Sequence, residues 1–202
     1  MTMTSTSAGG AIGPGFADPV LDAQRTFRVA LEALARPGRI GTIRDAFEPA
    51  PGLGTAATAL CLALLDHDTP VWLDHAAAGA AAYLRFHCGC PIMTKTDAAR
   101  FAVIADGAAS PPLSRFSDGS DAYPDRSATL IVETGGLRED GPLRLTGPGI
   151  ETEHRLTATG LPDRFWQDWR ANVARFPRGV DLFLTCGARI CGLPRTTSVE
   201  EG

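Results

Sequence analysis

The stretch Ala128-Thr129-Leu130-Ile131-Val132 carries no charge, and its β-branched and branched aliphatic side chains follow one another without polar interruption. A continuous run of this kind reads as a strand covered on both faces, as inner strands of a sheet between two layers are. Phe101-Ala102-Val103-Ile104 has the same character. Two such strands separated by other elements point to an α/β chain.

Working outward, Asp18-Pro19 supplies an N-cap and a first-turn proline, and Val20, Ala23, Phe27, Ala30, Leu31 and Leu34 recur at helical spacing. Arg36-Pro37-Gly38 ends that helix, and Arg39 to Ile43 reads as a short strand. Thr55 to Leu65 is apolar nearly all round, as a helix buried on most of its surface would be. Pro70 to Leu73 predicts a strand and Ala76 to Phe86 a helix. Pro162 to Phe176 is an amphipathic helix with Phe165, Trp166, Trp169, Val173 and Phe176 on one stripe, and Val180 to Thr185 with Arg189 to Leu193 predicts a hairpin. In Leu143-Arg144-Leu145-Thr146-Gly147-Pro148-Gly149-Ile150 the leucines share one face of a strand, Arg144 and Thr146 share the other, and Gly-Pro-Gly suits a type II turn. Gly107 to Ser127 is rich in Pro, Ser, Gly and Asp, with Leu113 and Phe116 as anchors, and reads as a lid, a partner-binding arm or a disordered loop. Residues 1–15 have almost no bulky apolar side chains and are expected to be a disordered tail, leaving 16–202 as a single domain.

A length of 202 residues with 44% hydrophobic content is enough for one sizeable core. The net charge of −4 argues against a nucleic-acid partner, and the absence of a long apolar run argues against a membrane span. A soluble, cytoplasmic protein is expected. Of the 19 basic residues only Lys95 is lysine; all others are arginine, whose planar fork grips carboxylate and phosphate in pairs of hydrogen bonds.

A phosphate loop of the ATPase type is excluded, because Lys95 has no glycine before it, and Gly147-Pro148-Gly149 lacks the third glycine of a dinucleotide fingerprint. His87-Cys88-Gly89-Cys90 and Cys186-x4-Cys191 do not match structural zinc or iron–sulfur spacings, so the thiols read as reduced, buried side chains and no metal is expected. His67, between Asp66 and Asp68, reads as a surface turn or a general base. Arginines sit beside chain breaks at Arg28, Arg36, Arg144, Arg178 and Arg195, either as solvated charges or as parts of an anion site.

Several blocks in order, Asp22-Ala23-Gln24-Arg25-Thr26-Phe27-Arg28, Arg36-Pro37-Gly38, Asp68-Thr69-Pro70-Val71-Trp72-Leu73, Leu84-Arg85-Phe86-His87, Leu143 to Ile150, Phe176-Pro177-Arg178-Gly179-Val180-Asp181-Leu182 and Leu193-Pro194-Arg195-Thr196-Thr197, resemble the phosphonate carbon–phosphorus lyase subunit family PhnH. The resemblance runs from about Phe16 to Glu200 and implies a three-layer α/β/α sandwich with a mixed sheet, like the large domain of pyridoxal-phosphate-dependent transferases but without the cofactor. It implies a homodimer that works with sister subunits G, I and J, assisting formation of ribose 1-phosphonate 5-triphosphate from ATP and a phosphonate. On that reading the chain is an accessory, non-catalytic subunit. Arg28, Arg36, Arg144, Thr146, Arg178 and Arg195 are the candidates for holding substrate or a sister subunit. The alternative is a directly catalytic transferase with an arginine-rich anion site and His67 or Asp22 moving a proton. A pyridoxal enzyme using Lys95 ranks last.

Overall fold

The structure is a computed structural model and describes residues 12–44 and 47–202. Strand β5 (Thr129–Glu133) lies between β4 (Phe101–Ile104) and β8 (Asp181–Cys186), parallel to both. Beyond β4 come β2 (Val71–Leu73) and then β3 (Ile92–Met93), also parallel. Beyond β8 come β9 (Arg189–Leu193) and β1 (Ile40–Thr42), each antiparallel to its neighbour. Among the described residues this makes a seven-stranded mixed sheet in the order β1-β9-β8-β5-β4-β2-β3. Alternation along the inner strands feeds two cores: Val71, Val103, Ile131 and Phe183 point to one face, and Ala102, Ile104, Leu130, Val132, Leu182 and Leu184 to the other.

Helices α1 (Pro19–Ala35), α2 (Thr55–Leu64) and α3 (Ala81–Cys88) cover the first face. As its composition predicts, α2 is buried from Ala56 through Cys61. The second face departs from a sandwich with helices on both sides. A single helix, α4 (Phe165–Val173), shares it with a three-stranded antiparallel sheet, β10 (Ser198–Glu201), β6 (Gly136–Thr146) and β7 (His154–Thr159), in the order β10-β6-β7. The reason is one-sided alternation: Leu137, Leu143 and Leu145 on β6, Leu156 on β7 and Val199 on β10 are buried against the main sheet, while the intervening residues face outward. The chain is therefore α/β with a large mixed sheet, and one covering layer is mostly β.

The periodicity of α1 predicts a helix correctly but not the way it sits. Its buried residues are Asp22, Thr26, Ala30 and Ala33, whereas Val20, Phe27 and Leu31 are exposed by 76%, 51% and 58%. The cause is close approach to β9. A Cβ on Gly192 would lie 2.6 Å from the Ala33 carbonyl, and one on Gly41 would lie 2.9 Å from Val29. Only small side chains fit between the helix and the strand, so the bulky stripe turns outward. Asp18 caps the helix by accepting from the amides of Val20 and Leu21, and buried Asp22 accepts from the Asp18 amide.

Residues 107–127 are held in place as a cover over the second core. Leu113 and Phe116 are buried in it, the Ser110 carbonyl accepts from Arg164, Asp118 pairs with Arg175, and the Gly179 amide donates to the Asp118 carbonyl. The tail expected over 1–15 lies outside the described residues as far as position 11. In its described part, the Pro14 carbonyl accepts from the Tyr83 hydroxyl and the Gly13 carbonyl contacts His87 Nε2. Among the described residues no helix is long and apolar enough to cross a membrane.

Replacing Gly192 with alanine forces α1 away from β9, and a loss of about 1–3 kcal/mol of unfolding free energy is expected in urea titrations. Unchanged stability would show that the contact has slack.

Candidate functional site

Three of the motifs that carry the resemblance come together where α1 ends. The turn after β6 closes with the Ile150 amide donating to the Gly147 carbonyl. Gly149 has φ +85°, and a Cβ there would lie 2.2 Å from the Ala35 carbonyl, so only glycine fits. A Cβ on Gly38 would lie 2.7 Å from the His154 ring, and one on Gly147 2.7 Å from the Thr196 carbonyl. Trp169 donates its indole N–H to Thr197. Arg36-Pro37-Gly38, the Gly-Pro-Gly turn and Leu193 to Thr197 thus form one junction that joins α1, the small sheet and α4.

The six candidate residues occupy four places. At the Pro177 corner, Arg195 is a clamp: its guanidinium donates to both oxygens of Asp181, to the carbonyls of Pro124 and Pro177, and to the Ser127 hydroxyl. A guanidinium has five N–H groups, so none is left for a ligand. Arg178, which follows Pro177 in sequence, reaches Asp121 at 3.4 Å. On the outward face of β6, Arg144 pairs with Glu200 of β10 and lies 3.8 Å from Glu153. Thr146 is its neighbour on that face and sits opposite Ser198. Arg36, at the C-cap of α1, bonds Glu32 at 2.7 Å.

Arg28 is different. Its side chain has no hydrogen-bond or ion-pair partner among the described residues. It faces a groove of about 400 Å³ between α1 and β1, lined also by Glu32, Arg39, Ile40, Thr42 and Glu139. Glu139 arrives from β6 and accepts the Ile40 amide at 2.6 Å. A second hollow of about 260 Å³ continues past Arg28 to Arg25 and Arg44. This groove flanks the outward apolar stripe of α1, so one helix presents Val20, Phe27 and Leu31 beside a run of guanidinium groups. Arrays of apolar anchors beside arginine are suited to gripping another protein. The sequence points to Arg28 but not to Arg39 and Glu139, because the pairing of Glu139 with Ile40 spans 99 positions.

Over residues 14–200 the chain matches the family described as bacterial phosphonate metabolism protein (PhnH). It belongs to the PhnH family. It is 45% identical over 188 residues to the alpha-D-ribose 1-methylphosphonate 5-triphosphate synthase subunit PhnH of Rhizobium meliloti (strain 1021), covering 92% of this chain and 94% of that one. It is also 33% identical over 181 residues to HtxG of Stutzerimonas stutzeri, named as a candidate C-P lyase subunit, covering 88% and 85% of the two chains.

The proton-moving candidates of this PhnH chain lie apart from each other, on the turn before β2 and on the first turns of α1. His67 is 80% exposed and paired with Asp68, while Asp22 holds the start of α1 and the Arg25 guanidinium. Among the described residues no three His, Cys, Asp or Glu side chains gather as metal ligands. Cys61 and Cys191 are fully buried thiols, the latter pushed up to about 12 by burial. The Cys88 thiol donates to the Cys61 carbonyl and the Cys90 thiol to the Leu84 carbonyl; the proximity of the two thiols raises the Cys88 value and lowers that of Cys90.

At the carboxyl end of β5, Glu133 meets the N-terminus of α2 and accepts the Gly54 amide, a position that offers no side-chain cap of its own. Burial raises its pKa above the ordinary carboxyl range, partly offset by that amide and reinforced by Asp74. A carboxyl raised by folding costs stability as pH climbs from the unfolded value through the folded one, then levels off. Wild-type stability relative to Glu133→Gln should therefore fall between about pH 4.3 and the raised value and stay constant above it, in urea titrations at a series of pH values. A flat difference would contradict the assignment. Arg195→Met strands the Asp181 carboxylate at a largely buried clamp, and a loss of about 3 kcal/mol is expected in the same assay.

Proposed function

We propose that this chain is an accessory subunit of a carbon–phosphorus lyase system for alkylphosphonate catabolism. In this reading it assists formation of a ribose 1-phosphonate 5-triphosphate from ATP and a phosphonate within a multi-subunit assembly. The observation that carries the reading is the outward apolar stripe of α1. Val20, Phe27 and Leu31 are large, contiguous on one helix face and open to water, in a family with a relative named as a synthase subunit. Leaving such groups exposed forgoes roughly 1.5–3 kcal/mol each, which a partner surface recovers by covering them.

Sister subunits G, I and J, or a second copy of the chain in a homodimer, are the partners this reading assigns to the stripe, with Arg28 and Arg39 at its flank pairing with acidic groups. The site is cytoplasmic and the contribution is surface rather than chemistry. Engagement of Arg36, Arg144, Arg178 and Arg195 in internal contacts favours the accessory role over a catalytic anion site. The proposed fold analogy is the large domain of pyridoxal-phosphate-dependent transferases without the cofactor. It is supported by the parallel inner strands and by Glu133 occupying the α2 N-terminus, a place suited to an anion.

The test is Phe27→Glu combined with Leu31→Glu, both at exposed positions where folding should be unaffected. Co-expressed with subunits G, I and J, the variant should lose at least about tenfold of the co-purifying assembly and fail to restore growth on methylphosphonate as sole phosphorus source. Native mass spectrometry separates loss of a sister subunit from loss of a homodimer. Full assembly and growth with the double variant would refute the docking role of α1.

A further inference from the structure

The sole lysine, Lys95, enters neither the junction nor the α1 groove. It borders an open cavity of about 720 Å³ lined by Trp72, Thr94, Lys95, Asp97, Ser114 and Arg115 among others. Topology accounts for the place. β2 leads to β3 through α3 on the first face of the sheet, and β4 leads to β5 through residues 105–128 on the second. β2 and β4 are neighbours, so their exits diverge at their carboxyl ends, the arrangement that opens ligand crevices in α/β sheets. The cavity lies on the second face, where Trp72 of β2 packs, beyond the carboxyl end of β3. Thr94 to Asp97 follow β3 directly, and Ser114 and Arg115 come from the segment after β4.

The chemistry of the lining is specific. The Lys95 ammonium and the Arg115 guanidinium have no hydrogen-bond or ion-pair partner among the described residues, although the arginines at 36, 144, 178 and 195 are paired internally. Asp97 is the single carboxylate of the lining, so the cavity carries net positive charge. The Thr94 and Ser114 hydroxyls donate or accept as required. Trp72 is held from behind by an edge-on contact with buried Phe116, ring centroids 5.7 Å apart. The volume falls in the range of small-molecule sites.

We propose that this cavity binds a small hydroxyl-bearing phosphate ester of the sugar-phosphate type. Lys95 and Arg115 take the phosphoryl oxygens, and Asp97, Thr94 and Ser114 take the hydroxyl groups alongside the Trp72 ring. The two cations of the lining hold the dianion by charge-assisted hydrogen bonds, and Asp97 disfavours a ligand that offers charge without hydroxyls. The site is separate from the α1 face and does not rest on the subunit role.

The probes are ribose 5-phosphate, inorganic phosphate of similar charge and free ribose, titrated into the full-length chain at low ionic strength by calorimetry, with indole fluorescence as a second readout. Ribose 5-phosphate should bind saturably, inorganic phosphate at least about fivefold more weakly and ribose without saturation. Lys95→Met with Arg115→Met should weaken ribose 5-phosphate by about tenfold or more at an unchanged melting temperature, while Lys95→Arg stays within about threefold of wild type. Trp72→Phe should abolish the fluorescence response. No saturable binding up to about 10 mM, or equal affinity in the double Met variant, overturns the site, and equal affinity for inorganic phosphate overturns the ester assignment. Complementation by the α1 variant is read independently, so either proposal fails without the other.

Discussion

Ala33 of α1 rests directly on the backbone of β9, where Gly192 leaves no room for a single methyl group. This contact decides which face of the first helix is inside. With small and polar side chains at the interface, Ala30, Ala33, Thr26 and Asp22 go in, and the bulky ones go out. A helix whose sequence has an ordinary amphipathic period thereby carries its apolar stripe on the molecular surface. The interior loses little, because close backbone approach provides dense dispersion contact. The exterior gains a surface that water solvates poorly and another protein can cover.

The other end of the same helix is organised by backbone sterics. Gly149 over the Ala35 carbonyl, Gly38 over His154 and Gly147 over Thr196 let three chain segments share one small volume. Segments so constrained are recognisable in sequence without any ligand being involved, and Arg195 illustrates the point. A guanidinium with every N–H committed to Asp181, Ser127 and two carbonyls is a cross-link between elements, as a disulfide is elsewhere. Arginine richness in this chain therefore has at least two physical meanings, internal cross-linking at Arg195 and open charge at Arg28 and Arg115.

The two open features lie on separate parts of the molecule. The α1 stripe and its guanidinium flank belong to the helix-covered face at the β1 edge, and the Lys95 cavity to the carboxyl ends toward the β3 edge.

The sequence by itself determined the inner strands, the four main helices, the closing hairpin and the inward leucines of Leu143 to Ile150, because continuous or alternating burial leaves a local period in the chain. It also carried the family, through ordered blocks around Arg36, Gly149 and Arg195. The outer β layer was only partly legible: His154 to Thr159 and Ser198 to Glu201 have the alternation of strands, but they are short and hydrophilic, and their pairing with β6 is nonlocal. Only the tertiary structure decided that α1 lies with Val20, Phe27 and Leu31 outward, that Arg195 is consumed internally, and that Lys95 and Arg115 line one cavity. Each depends on contacts between residues far apart in the chain, Ala33 with Gly192 or Arg195 with Pro124, and helical or strand period holds no record of such distances.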